Sequence, residues 1–360
     1  MLRFRPSGES EPARSKLPYA RGTAMNLDDG VRSLRTAVMA PPTAPPEGVP
    51  PSEPDENAIR TYRYVRVLIV ALTIGLLTAV AVERIAAGCL LGSISAYYYT
   101  PARGLFTGGL IGIGACLIAI RGENELQDGL LNVAGLFGPM VALIPMHLNV
   151  GTVEHPSREA SCIANAHRIT DVRPGDLREV AFGLVTAGRV DSIRNNTIAL
   201  LVVLGVGLLF LGWLIWYARR HLRAGVPVPK WWPWVASVLL VVGVWALYLG
   251  AHDVYIERVH FATAISMFVA LSVFAIVDGI RTVRLQRAKK RGVAYVVLGV
   301  GLIAGCVAIM VIGGITQWDY TTFTAEVWGI GVFLVFWVMQ TIDLWNHTSR
   351  GSAILSRGPE

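Results

Sequence analysis

Eight long apolar stretches, separated by short polar connectors, organise this chain: residues 67–82, 105–120, 129–148, 198–217, 234–249, 260–280, 293–314 and 325–344. A bilayer core about 30 Å thick takes roughly 17–25 apolar residues in helical form. Hydrocarbon offers no partner for backbone polar groups, so each stretch must satisfy its own. The pattern therefore predicts an all-α, polytopic transmembrane helix bundle of about eight spans. The first two stretches are short. In the first, Glu83 and Arg84 interrupt an apolar run that resumes over 85–94, so the helix either continues and snorkels this pair or leaves its second piece at the surface.

Three regions follow. Residues 1–60 lack periodicity and contain the proline-rich run 41–51, which predicts a disordered cytoplasmic tail. It has no secretory-signal order and is expected to stay uncleaved, with Met25 and Met39 as alternative starts to Met1. Residues 61–348 form the transmembrane domain, and 349–360 a second cytoplasmic tail. The connector 149–195 is long. Within it, Asp176 as cap and Glu179 three residues on predict a short amphipathic helix reaching about Ala187.

Basic residues in short loops stay in the cytoplasm, which sets the orientation. One set of flanks carries Arg60, Arg63, Arg66, Arg121, Arg219, Arg220, Arg223, Lys230, Arg281, Arg284, Arg287, Lys289, Lys290, Arg291, Arg350 and Arg357; the alternate short loops carry only Arg84, Arg103 and Arg258. Both termini are thus expected inside, and 149–195 outside, its arginines offset by acids. Tyr97, Tyr98, Tyr99, Trp318 and Tyr320 mark the outer interface, and Trp213, Trp216, Trp231, Trp232 and Trp345 the inner one.

Composition agrees: 53% of residues are hydrophobic, only 16% are charged and mean hydropathy is +0.50. The net charge of +7 lies in the connectors rather than on a folded polar face, which argues against a nucleic-acid partner and leaves membrane lipids. Arginine-rich, lysine-poor usage with abundant Ala, Gly and Val points to the inner membrane of a bacterium with a GC-rich genome. Cys89, Cys116, Cys162 and Cys306 show no metal-site spacing and imply no disulfide framework, although Cys89 and Cys162 fall on the same outer side. No cofactor or metal is expected.

Gly104, Gly108 and Gly112, and likewise Gly301 and Gly305, recur every fourth residue, a pattern that lets backbones approach closely. Both faces are expected to be buried within the chain, with a homo-oligomer contact as the alternative. Ionisable groups inside a membrane are costly and mark function. The middle of each stretch lacks them, whereas the outer ends gather Ser93, Tyr97, Tyr98, Arg103, His147, His252, Asp253, Glu257 and His260, with Ser95 and Glu326 nearby. These form the candidate ligand site. Asp253, Glu257 and His260 fall at i, i+4 and i+7, so a helix beginning outside the bilayer sets them on one face. The first functional expectation is a non-enzymatic protein that binds a lipid or small amphiphile in an outer pocket, or an envelope component. The alternatives are a metal-dependent lipid hydrolase and a facilitator or exporter of a small solute.

The strings SISAYYYTPAR at 93–103 and FWVMQTIDLW at 336–345 resemble uncharacterised multi-spanning membrane proteins of actinobacteria. The resemblance covers about 66–345 and implies placement in a membrane without a known activity. A more distant likeness, through Ser93, Asp253 and His260, is to the seven-span superfamily of alkaline ceramidases and progestin and adiponectin receptors. Its HxxxH pair is missing here, so no metal ligands are carried over.

Overall fold

A computed structural model describes residues 56–149, 151, 155, 157–167, 183, 185, 187–221, 232–284 and 289–346. Among these, every element is helical: α1 (Glu56–Ala87), a 3-10 turn (Ser95–Tyr99), α2 (Arg103–Ala119), α3 (Glu125–Leu143), α4 (Arg158–Ala166), α5 (Ala187–His221), α6 (Trp232–Gly250), α7 (His252–Arg284), α8 (Lys289–Thr316) and α9 (Thr321–Asp343). Six of them (α1, α3, α5, α7, α8 and α9) are long and apolar enough to cross a membrane, and α2 and α6 are shorter apolar helices. This is an integral membrane protein. Each apolar stretch of the sequence coincides with one of these eight helices. Of the expected amphipathic helix from Asp176 only Gly183, Val185 and Ala187 are described, each helical; the tails up to residue 55 and from 347 lie outside the described residues, while 56–60, expected in the disordered tail, open α1; α4 had no counterpart in the apolar pattern.

Six helices close a ring in the order α1, α2, α3, α7, α8, α9 and back to α1, with α5 and α6 packed outside against α3 and α7. Large apolar side chains such as Val203, Val206, Leu209 and Phe210 on α5 face outward, as they must where hydrocarbon is the solvent. α7 and α8 approach most closely. A Cβ on Gly279 would lie 2.6 Å from the Gly292 carbonyl oxygen, one on Gly299 would lie 2.8 Å from that of Ser272, and the Ser272 hydroxyl donates to the Gly299 carbonyl at 2.7 Å. Gly114 and Gly135 make the same kind of crossing between α2 and α3.

The glycine pattern read from the sequence is only partly the one used. Gly104 and Gly108 are exposed with open space over them, contrary to the expected buried face; of that trio only Gly112 meets a neighbour, Leu72 of α1. Gly305 is covered by the Trp328 indole, whose Nε1 donates to the Gly301 carbonyl at 2.9 Å. Spacing alone does not tell which face of a helix meets its neighbour.

Contacts sort the helix ends into two groups. At one end Cys89 and Cys162 form a disulfide, Phe323 N–H donates to Gly92 O, Tyr99 Oη to Met146 O and Asn196 to Leu143 O. At the other, Arg66 donates to Leu344 O, Arg281 pairs with Glu123, and Arg291 meets Asp343 at 2.6 Å. Of the basic flanks singled out in the sequence, Arg66, Arg281 and Arg291 fall at this second end. The disulfide links positions 73 residues apart and corrects the expectation that no bridge was implied.

α1 resolves the Glu83 alternative by running on to Ala87, with Glu83 buried and Ile85 exposed. Gly88, at φ +69°, ends it in the left-handed conformation that closes many helices. α3 begins with a cap in which Asn124 accepts from Gln127 N–H at 2.8 Å. It stops at Leu143, five residues short of the apolar stretch, because Pro145 disfavours helix at the residue before it and Ile144 is extended. The carbonyls this frees are taken up individually: Leu143 by Asn196, Ile144 by His260 Nδ1 and Met146 by Tyr99. Non-helical backbone at such depth persists only when protein supplies the partners.

Candidate functional site

The segment between α1 and α2 folds down into the end of the ring instead of lying on it. α2 has 17 residues and spans about 25 Å. The 3-10 turn fills the rest of its column, so Tyr97, Tyr98 and Tyr99 are all buried. Burial pushes the phenols of Tyr97 and Tyr99 above their ordinary range, that of Tyr99 well above.

Glu326, in the second turn of α9, anchors this segment. Ser93 Oγ lies 2.7 and 2.9 Å from its two carboxylate oxygens, Ile94 N–H donates at 2.5 Å and Ser95 Oγ at 3.1 Å. Ser95 N–H donates to Ser93 Oγ at 3.0 Å, which leaves the Ser93 proton for Glu326. Ile94 N–H can only donate, while the two serine hydroxyls can donate or accept, so these contacts satisfy the carboxyl in either protonation state.

Beside it opens a cavity of about 210 Å3, lined by apolar groups including Leu76, Phe106, Leu110, Phe261, Phe268 and Met310, with Ser95, Thr322, Cys306 and Glu326 at its polar end. Phe261, Ile265 and Met310 both line it and lie exposed on the outside of the bundle, so the cavity is continuous with the surface that faces lipid. Its deep end shares Leu76, Leu110, Met267, Phe268 and Ile330 with a smaller void of about 40 Å3 on the ring axis.

Of the nine residues of the candidate ligand site, from Ser93 to His260, only Ser93 touches this cavity, through Glu326. Tyr97 is packed in the core beneath the turn. Tyr98 lies under Arg103, whose guanidinium sits 4.2 Å from the ring centroid. His147, His252, Asp253 and Glu257 are exposed. α7 is continuous through Asp253, Glu257 and His260, so the three keep the expected common stripe, but His260 lies further along the axis, buried and 2.6 Å from the Ile144 carbonyl through Nδ1. Among the described residues no three His, Cys, Asp or Glu side chains converge as metal ligands do. Ser95 and Glu326 stood in the outer polar set of the sequence; Phe261, Phe268, Cys306 and Thr322 carried no signal, because a cavity wall made of ordinary span residues is a product of packing.

A second polar cluster closes the opposite end. Gln340 Nε2 donates to Asp278 Oδ2 at 2.8 Å, Gln127 approaches Asp278 Oδ1 at 3.5 Å, Arg66 caps the α9 C-terminus at Leu344 O, and Arg281 pairs with Glu123. Arg66, Arg121, Glu123 and Asp278 line a void of about 30 Å3 among these groups. This arrangement suits a structural network, which is acceptable in a low dielectric when its members are satisfied.

No family model, curated protein or solved structure matches the chain.

Proposed function

We propose that this chain is an eight-span protein of a bacterial cell membrane, both termini cytoplasmic, that holds a lipid or small amphiphile in a pocket at the outer end of its helix ring. The observation that carries the reading is the cavity of about 210 Å3 with apolar walls, one polar end at Glu326 and Ser95, and a side open to lipid. It is smaller than the roughly 300–1,000 Å3 of drug-sized sites, which suits part of one acyl chain. Orientation is supported by the gathering of basic residues at one end and of the disulfide at the other, since disulfides persist on the oxidising side of a membrane. Self-association is assigned to the face of α2 bearing Gly104 and Gly108, which have open space over them.

Ala264→Trp tests the pocket by filling it from α7. Native mass spectrometry of protein released from nanodiscs should show lipid retained by the parent chain and lost from the variant; identical lipid species on both would end the reading.

A facilitator is the second reading, favoured by the stacking of the 210 Å3 cavity over the 40 Å3 void on the ring axis. Solute flux in proteoliposomes that Ala264→Trp blocks would support it; flux unaffected by this substitution would exclude this path.

A further inference from the structure

Glu326 is surrounded by donors, yet none of them carries a positive charge. The ion pairs among the described residues are Arg158 with Asp319, Arg194 with Asp191, Arg281 with Glu123 and Arg291 with Asp343, and none includes Glu326. At the opposite end the partly buried Glu123 has Arg281 beside it, a cationic partner that Glu326 lacks among its contacts. Contacts with Ser93, Ile94 and Ser95 satisfy the carboxyl group but bring no counter-charge to it. A buried charge without a counter-charge is strongly disfavoured in an apolar surround. Here the surround is the cavity itself.

We infer that the occupant of this pocket is a cationic amphiphile, an alkylammonium head seated against Glu326 and Ser95 with its tail in the apolar part of the cavity. This rests on the pocket reading above and names its ligand class. Three observations converge on it. Glu326 is the sole acidic or basic side chain among those described on the cavity wall, and a cationic head would supply the counter-charge its carboxylate needs. Phe106, Phe261 and Phe268 line the same wall, and aromatic faces attract ammonium groups where water is scarce. Glu326 also lies about 8 Å along the helix from the start of α9, which places the head near the interface and lets the tail point inward as in the adjoining leaflet. The volume takes about seven groups the size of a water molecule, so a short chain fits.

The test compares octylammonium, octan-1-ol and octanoate on the full chain in nanodiscs, with binding read from thermal stabilisation and from native mass spectra. Octylammonium should bind the parent chain about tenfold tighter than octan-1-ol, with octanoate weakest. E326Q should erase the preference while still binding octan-1-ol. Equal binding of octylammonium and octan-1-ol by the parent chain would overturn the cationic head and leave the pocket standing. Binding of none of the three would overturn both. The comparison on the parent chain decides the matter even where E326Q fails to fold.

Discussion

Ser93 and Glu326, 233 residues apart in the chain, meet with the serine hydroxyl 2.7 Å from a carboxylate oxygen. The contact ties the segment after α1 to the second turn of α9, and thereby sets the outer wall of the lipid-facing cavity beside a single acid.

Removing the acid should therefore unlock the segment. Glu326→Ala leaves the Ser93 and Ser95 hydroxyls and the Ile94 N–H without their acceptor, and hydrogen bonds to a charged group contribute about 1.5–3 kcal/mol each. We expect a clear fall in the unfolding temperature of the detergent-purified protein. A variant as stable as the parent would show that the anchor is dispensable.

Tyr99→Phe removes one donor only. The Met146 carbonyl loses its 2.9 Å partner in a segment that Pro145 keeps out of helix, at a cost of about 1–3 kcal/mol for an unsatisfied buried group. Denaturant unfolding should register this cost, and no change would mean that water reaches the carbonyl.

The disulfide gives a count. Denatured without reductant, the chain should react with maleimide at two thiols, Cys116 and Cys306, and after reduction at four. Four reactive thiols before reduction would contradict the bridge.

Orientation is checked in whole cells. In a background lacking Cys116 and Cys306, an impermeant thiol reagent should label Asn165→Cys, at an exposed position of α4, and leave Lys290→Cys, at the start of α8, protected. The reverse pattern would invert the topology.

The two kinds of glycine separate fold from assembly. Gly114→Leu should destabilise the monomer, because even a Cβ there meets the Gly135 carbonyl at 2.6 Å and Pro139 at 2.8 Å, and overpacking costs about 1–3 kcal/mol. Gly108→Leu should leave monomer stability unchanged while abolishing cross-linked dimers in membranes. Dimers that survive it would remove α2 as the contact.

The sequence by itself determined the helical class, the position of each apolar helix and the segregation of basic flanks, because these follow from local hydrophobicity and from charge near helix ends. It also exposed the interruption at Glu83 without showing how it is resolved, whereas the stop that Pro145 imposes on α3 lay unread inside the stretch 129–148. Only the tertiary structure decided which glycines meet, since Gly104 and Gly112 belong to one repeat but only Gly112 faces a neighbour. Only it decided that Cys89 reaches Cys162, that His260 turns inward to a carbonyl, and that Ser93 finds Glu326 across a closed ring. A cavity exists where several helices fail to fill a shared space, and no single helix encodes that failure.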